Sequence, residues 1–220
     1  MKKKYKAIIF DFNGTLLWDT PLHNKAWDIF LKEHHIRLTD KEKNTIIHGK
    51  TNKEIFKCLF KKEFDPHELN TLSEEKETIY RELCINSNIQ LTQGSIHLFE
   101  FCTVKRIPIS IATSSSQANV DFYIEQFGLL RWFPPDLIVF DDGTIKSKPD
   151  PAIFNTAMSR LNMKPNHVII FEDSHAGIKA AEEAKAGKIV IVNSTNNNYA
   201  DYRHEVLTDL TRFDYSALHS

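Results

Sequence analysis

Several things are scarce in this chain, and each scarcity closes a class of function. There are three cysteines in 220 residues, Cys58, Cys84 and Cys102. Their number is odd and their spacing fits neither a metal knuckle nor a redox pair, so they read as reduced thiols of a cytosolic protein. Seven glycines and eight prolines are too few for a low-complexity or fibrous chain. Neither sign of charge prevails: 28 Lys and Arg stand against 29 Asp and Glu, a formal charge of −1. That balance argues against nucleic acid or an anionic membrane surface as the main partner. Long apolar runs are missing too. The basic start Met1 to Lys6 leads into Ala7-Ile8-Ile9-Phe10, which stops at Asp11. A signal peptide needs about 7–15 apolar residues and a membrane span about 20. The expectation is a cytoplasmic protein, monomeric by default, long enough for one domain with a smaller insert.

What is present is a set of short apolar runs: Ala7 to Phe10, Ile107 to Ala112, Asp136 to Phe140, His167 to Phe171 and Lys188 to Val192. They are rich in Ile and Val and do not alternate, as expected of parallel strands covered on both faces. Helical spacing fills the gaps between the later runs. Asp150-Pro151 predicts an N-cap and a Pro at the first helical position, leading into Ile153, Phe154, Ala157 and Leu161. Ser174 predicts a cap for a helix through Ile178, Ala181 and Ala184 ending at Gly187, and Gly128 stops a stripe of Val120, Ile124 and Phe127. Strand alternating with helix predicts a doubly wound α/β sheet of Rossmann-like type.

The stretch 18–88 differs. His23, Ala26, Trp27, Phe30 and Leu31 follow helical spacing, as do Ile55, Phe56, Leu59 and Phe60, and again Ile79, Tyr80, Leu83 and Cys84. A crossover needs only about a dozen residues. The excess predicts an inserted α-helical subdomain over 18–88, a lid, with residues 1–17 and 89–220 forming the sheet domain.

Chemistry-bearing residues gather where the runs end. The first run ends in Asp11-Phe12-Asn13-Gly14-Thr15-Leu16. Ligands of open α/β sheets bind beyond the carboxyl ends of strands, and Gly14 with Thr15 would turn the chain and present backbone N–H groups to an anion. Taken alone, Asp11 would as readily be structural. The second run ends in Thr113-Ser114-Ser115-Ser116, which is either an anion site before a helix or an ordinary N-cap. Lys148 follows in the stiff turn Ser147-Lys148-Pro149-Asp150-Pro151; fixed beside Asp11 it would neutralise charge, otherwise it is a solvated lysine. The fourth run ends in Phe171-Glu172-Asp173-Ser174-His175-Ala176-Gly177-Ile178. Two adjacent acids at a strand end are costly unless they hold a cation, and hard oxygen ligands suit Mg²⁺.

With these motifs in this order, the chain resembles the haloacid dehalogenase (HAD) superfamily of phosphotransferases. It is most similar to the branch with a helical cap that contains β-phosphoglucomutase and many sugar-phosphate phosphatases. The resemblance covers the whole chain: His23-Asn24-Lys25-Ala26-Trp27 is similar to the opening cap helix, and Lys76-Glu77-Thr78-Ile79-Tyr80-Arg81-Glu82-Leu83 to the last. It implies a hydrolase acting on a small phosphorylated metabolite. Asp11 would be the nucleophile that becomes an aspartyl phosphate. The Asp11 carboxylate, the Asn13 backbone carbonyl and Asp173 would bind Mg²⁺, with Glu172 in support. Thr113 and the Ser114 amide, beside Ser115 and Gly14, would hold phosphoryl oxygens, and Lys148 would balance charge. In the cap, Lys50, Lys76 and His23 are candidates for a second anionic group, although the two lysines would equally serve as solvated surface residues.

The chain departs from the family at Asn13, where the usual motif carries a second Asp that acts as general acid and base. An amide neither protonates a leaving alkoxide nor deprotonates water, though it still donates a hydrogen bond. Losing such help typically costs about 10²–10⁴ in rate. Three readings stay open: an enzyme for good leaving groups, or one borrowing His23 or His175; a weak or inactive phosphate-ligand-binding member; or an engineered Asp→Asn variant. A mutase is disfavoured, because β-phosphoglucomutase grips its substrate with an Arg where Asn52 stands here, and needs acid–base chemistry twice per cycle. The expectation is a Mg²⁺-dependent phosphatase.

Overall fold

In the computed structural model the described residues are 4–47 and 52–218. In chain order they form β1 (Ala7–Phe10), α1 (Thr20–Glu33), α2 (Asp40–Ile46), α3 (Asn52–Phe60), α4 (Pro66–Ser87), α5 (Ser95–Lys105), β2 (Ile109–Ala112), α6 (Gln117–Phe127), β3 (Ile138–Val139), α7 (Ala152–Arg160), β4 (Val168–Glu172), α8 (His175–Glu183), β5 (Lys188–Val192) and β6 (Glu205–Leu207). The chain divides into two compact units, Met1–Trp18 with Gln90–Ser220, and Asp19–Ile89. No described helix is long and apolar enough to cross a membrane.

The first unit is a six-stranded sheet in the order β3-β2-β1-β4-β5-β6. All its pairings are parallel, so the fold is Rossmann-like α/β. The order reverses beside β1, whose neighbours β2 and β4 leave in opposite directions, and such a switch point opens a crevice at the strands' carboxyl ends. β1 is fully buried because the pleat sends its residues to two covered faces. Ala7 and Ile9 join Ile153, Phe154, Ala157, Ala180 and Ala181 of α7 and α8 in one cluster. On the other face Phe10 stacks on Phe171, with centroids 5.1 Å apart, and meets Phe99 edge-on at 5.4 Å. Two of the three thiols are inert: burial pushes Cys84 and Cys102 up to about 12, while Cys58 is exposed.

The structure corrects several expected boundaries. β2 begins at Ile109, because the Ile107 N–H instead closes α5 by donating to Cys102 O at 2.8 Å. β3 is two residues long, since Pro135–Leu137 wind into a 3₁₀ turn. α7 begins one residue later than expected, with Pro151 at its N-cap; Asp150 still serves it by accepting from Ala152 N at 3.0 Å. Ser174 caps α8 as expected, accepting from Gly177 N at 3.0 Å. That helix ends at Glu183, and Lys185 (φ 58°) rather than Gly187 takes the left-handed turn. Gly187 answers to a close approach: a Cβ there would lie 2.3 Å from Asn166 O. Gly128 closes α6 with φ 60°.

The second unit is helical throughout its described residues. Trp27, Phe30 and Leu31 of α1 pack with Ile47, Ile55 and Phe56, so the apolar stripes form this unit's own core. α4 starts at a capping box in which Asp65 accepts from Glu68 N and the Glu68 side chain from Asp65 N, with Pro66 first in the helix. Tyr80 of α4 is fully buried and donates its hydroxyl to Asp19 Oδ2 at the foot of α1.

Candidate active site

Four segments of the sheet unit bring their side chains together. β1 delivers Asp11, whose N–H donates to Phe171 O at 2.9 Å; this extends the β1–β4 register by one residue and places Asp11 opposite the end of β4. Glu172 is the last residue of β4, and Asp173 follows it. Lys148 arrives from the loop before α7, its bond to Pro149 cis. Its Nζ donates to Asp11 Oδ1 at 2.5 Å and to Glu172 Oε1 at 2.7 Å. Its side chain is 8% exposed, so the solvated alternative is excluded.

Oxygens of Asp11, Glu172 and Asp173 all lie within 4.8 Å of one another, with Lys148 the one cation hydrogen-bonded within the cluster among the described residues. Burial raises the Asp11 carboxyl to about 7, against the pull of Lys148, and the charge of Glu172 adds to the rise. Burial likewise holds Asp173 well above the ordinary carboxylate range, and Glu172 and Asp11 add to it. Burial works against the charge on Lys148, but Asp11 and Glu172 outweigh it and raise that ammonium. The cluster is therefore over-supplied with negative charge, and its all-oxygen donor set suits a hard divalent cation.

Glycines make room for the acids. A Cβ on Gly14 (φ +79°) would lie 2.1 Å from Asp173 Oδ2, and one on Gly177 would lie 1.6 Å from Glu172 Oε1. Glu172 is held further by Ser174, whose N–H and hydroxyl donate to its Oε2 at 2.6 and 3.1 Å. The Gly14 and Thr15 amides are not offered to an anion as expected. They donate inside the turn, to Leu17 O at 2.7 Å and Phe12 O at 3.3 Å, because the tight turn needs them to close.

Asn13 lies against the end of β2. Its Oδ1 accepts from Ser115 Oγ at 2.7 Å and from Thr113 Oγ1 at 3.4 Å, and its Nδ2 donates to Tyr123 OH at 2.8 Å. Thr113 Oγ1 also accepts from Ser115 N at 3.2 Å, while Ser114 is exposed. His175 is exposed and paired with Tyr202 OH at 2.9 Å.

In the helical unit, Lys76 is 3% exposed, so it is no solvated surface residue. Its Nζ lies 2.9 Å from His23 Nδ1 and 2.9 Å from Glu77 Oε1. His23 stacks flat on Tyr80 at 3.8 Å and faces Asp19 at 3.4 Å. Lys50 lies outside the described residues.

The family model for haloacid dehalogenase-like hydrolases matches residues 8–191. The chain belongs to this family. A phosphorylated carbohydrates phosphatase of Thermotoga maritima is 30% identical over 200 residues, 89% of each chain. A β-phosphoglucomutase of Mycobacterium bovis is 24% identical over 221 residues, covering 89% of this chain and 84% of that protein. Among solved structures, an Entamoeba histolytica HAD hydrolase of family IA, variant 3, superposes with TM-score 0.88 at 33% identity, covering 96% of each chain.

In this HAD-like hydrolase, four supporting residues escape sequence reasoning. The Thr15 hydroxyl donates to Asp173 Oδ1 at 3.1 Å, Tyr199 donates to Asp173 O, Tyr123 meets Asn13, and Gly177 makes space for Glu172. Thr15 and Gly177 lie inside the recognised motifs, so a signal existed. Tyr123 and Tyr199 carry none, because each reaches the site only through the fold.

Proposed function

We propose that the protein is a Mg²⁺-dependent phosphatase of a small phosphorylated metabolite, a sugar phosphate or a similar compound, acting through phosphorylation of Asp11. The observation that carries this reading is Lys148 Nζ held between Asp11 Oδ1 at 2.5 Å and Glu172 Oε1 at 2.7 Å, with Asp173 completing an acidic triad. The Asp11 carboxylate attacks phosphorus, and Lys148 orients it and offsets the charge of nucleophile and phosphoryl group. Thr113 Oγ1, the Ser114 amide and Ser115 bind phosphoryl oxygens. Asp11, the Asn13 backbone carbonyl and Asp173 would hold the cation, with Glu172 fixing Lys148 and the metal's surroundings. When bound, Mg²⁺ supplies positive charge at the phosphoryl oxygens. Lys76, with His23 beside it, and Lys50 are assigned to a second anionic group of the substrate. This role, the division into a sheet domain and a helical cap, the monomeric state and the cytoplasmic location belong to the same reading.

The test is phosphate release with Mg²⁺ from acetyl phosphate, pyrophosphate, p-nitrophenyl phosphate and hexose phosphates. Release that disappears on chelation and in Asp11→Asn is the expected outcome. Release that survives in Asp11→Asn would remove the nucleophile's assignment. Asn13 favours a second reading, a phosphate-ligand-binding protein without turnover, which predicts Mg²⁺-dependent ligand binding by calorimetry and no product. A mutase is disfavoured by Asn13 and by Asn52.

A further inference from the structure

We propose, resting on the phosphatase reading, that phosphorylated Asp11 is a long-lived state of this enzyme, charged fastest by donors whose leaving group departs as a stable anion and slowest by sugar esters. The argument starts from the surroundings of Asn13. Its carbonyl accepts from two hydroxyls, Ser115 Oγ at 2.7 Å and Thr113 Oγ1 at 3.4 Å, and its amide donates to Tyr123 OH at 2.8 Å. Tyr123 is 1% exposed and stacks on Phe12 with centroids 4.3 Å apart, so the phenol is a rigid partner. Each of these partners is a hydroxyl, which donates as well as accepts, so the amide is held whichever way round it lies. Asn13 is thereby anchored two residues beyond Asp11 as a neutral group that is neither acid nor base, and the three side chains named here that it bonds are hydroxyls, poor acids and bases near neutrality.

The ionisable groups of the cluster are engaged elsewhere. Lys148 is bonded to Asp11 and Glu172, Glu172 is also bound by Ser174, and Asp173 takes the Thr15 hydroxyl. Both half-reactions feel this. In the first, an Asp11 oxygen forms a bond to phosphorus while the bond from phosphorus to the leaving oxygen breaks, its electron pair going to that oxygen. With no proton supplied, an acyl phosphate leaves as carboxylate, an anhydride as phosphate and an acidic aryl ester as phenolate, whereas a sugar ester would have to leave as alkoxide. In the second, water attacks phosphorus, its proton goes to solvent, and the bond to Asp11 breaks to return the carboxylate. Without a base at position 13, that step is slower by about 10²–10⁴, and the phosphorylated form accumulates.

The experiment mixes the protein with acetyl phosphate and Mg²⁺, follows phosphate and acetate release, and measures intact mass after acid quench. The expected result is a burst of acetate near one per active site, a mass increment of one phosphoryl group, and slow phosphate release. Across aryl phosphates the rate should fall steeply as the leaving phenol becomes less acidic, with hexose phosphates slowest. Asn13→Asp should shorten the phosphoprotein's life by about 10²–10⁴ and raise the rate on hexose phosphates most. Hexose phosphates turned over by the wild type as fast as aryl phosphates, or no burst despite steady phosphate release, would overturn the inference while leaving the phosphatase standing. No incorporation and no release by either wild type or Asn13→Asp would bring down both. The wild-type leaving-group series decides the question even if Asn13→Asp fails to fold.

Discussion

Two buried polar clusters, one in each unit, use the same residue types to opposite ends. In the sheet unit Asp11, Glu172 and Asp173 face a single lysine, Lys148. In the helical unit Asp19 and Glu77 are met by Lys76 and His23, with Tyr80 donating to Asp19. Burying charge is costly unless it is paired. In the helical cluster each carboxylate is met by donors of the same unit, Tyr80 and His23 at Asp19 and Lys76 at Glu77. The sheet cluster does not meet that demand, and its surplus of carboxylate is what a divalent cation and a phosphoryl group's chemistry require. An acid excess at the carboxyl edge of a sheet is thus a mark of work still to be done, whereas in the helical unit each carboxylate already has its donors.

Removing Lys148 should break this contrast most severely. Lys148→Ala leaves three buried carboxylates without their lysine, and phosphate release should fall by about 10²–10³ or more, as for loss of a preorganised charge-stabilising group. Breaking a buried pair costs about 3–5 kcal/mol, and added Mg²⁺ should recover part of the lost stability in thermal melts. Stability that is unaltered by the substitution would show that the cluster is not strained by its charge. Next in size is Gly177→Ala, whose Cβ would meet Glu172 Oε1. Overpacking of this kind costs about 1–3 kcal/mol, and displacing Glu172 should lower activity along with stability; full activity would mean that Glu172 need not hold its place.

Cation binding sharpens the comparison through pH. Burial and neighbouring carboxylates raise Asp11 from 3.8 to about 7 and raise Asp173 in the same direction. The cation-free folded protein therefore keeps protons that the unfolded chain has released. The stability of that form is fullest below the ordinary carboxylate value and declines as pH rises toward about 7. A cation competes with those protons, so the stabilisation by Mg²⁺ should be larger at pH 8 than at pH 5, approaching about 2.7 kcal/mol at a hundredfold excess over Kd. An equal gain at both values would contradict the linkage. The smallest effect belongs to the helical cluster: Tyr80→Phe removes a buried donor from Asp19 and should cost about 1–3 kcal/mol while leaving Mg²⁺ affinity unaltered by titration.

Much of this was legible in the amino-acid order. Ala7-Ile8-Ile9-Phe10 marks β1 because only a strand covered on both faces is apolar without alternation. Ser174 and Gly128 announce helix ends through local hydrogen bonding and backbone freedom. β6 left no trace, since in Glu205-Val206-Leu207 only the last residue is buried and an edge strand needs no apolar run. The motifs marked Asp11, Lys148, Glu172 and Asp173 as candidates, but their convergence depends on the strand order around β1. The burial of Lys76 was equally hidden, because its partner His23 lies more than fifty residues away and only helix packing joins them.

The most direct measurement is calorimetric titration of Mg²⁺ into the wild type, Asp173→Asn and Tyr80→Phe. The account predicts one saturable site in the wild type, abolished in Asp173→Asn and preserved in Tyr80→Phe. Saturable binding that survives Asp173→Asn, or no binding by the wild type, would contradict the claim that the acid excess of the sheet unit is a cation site.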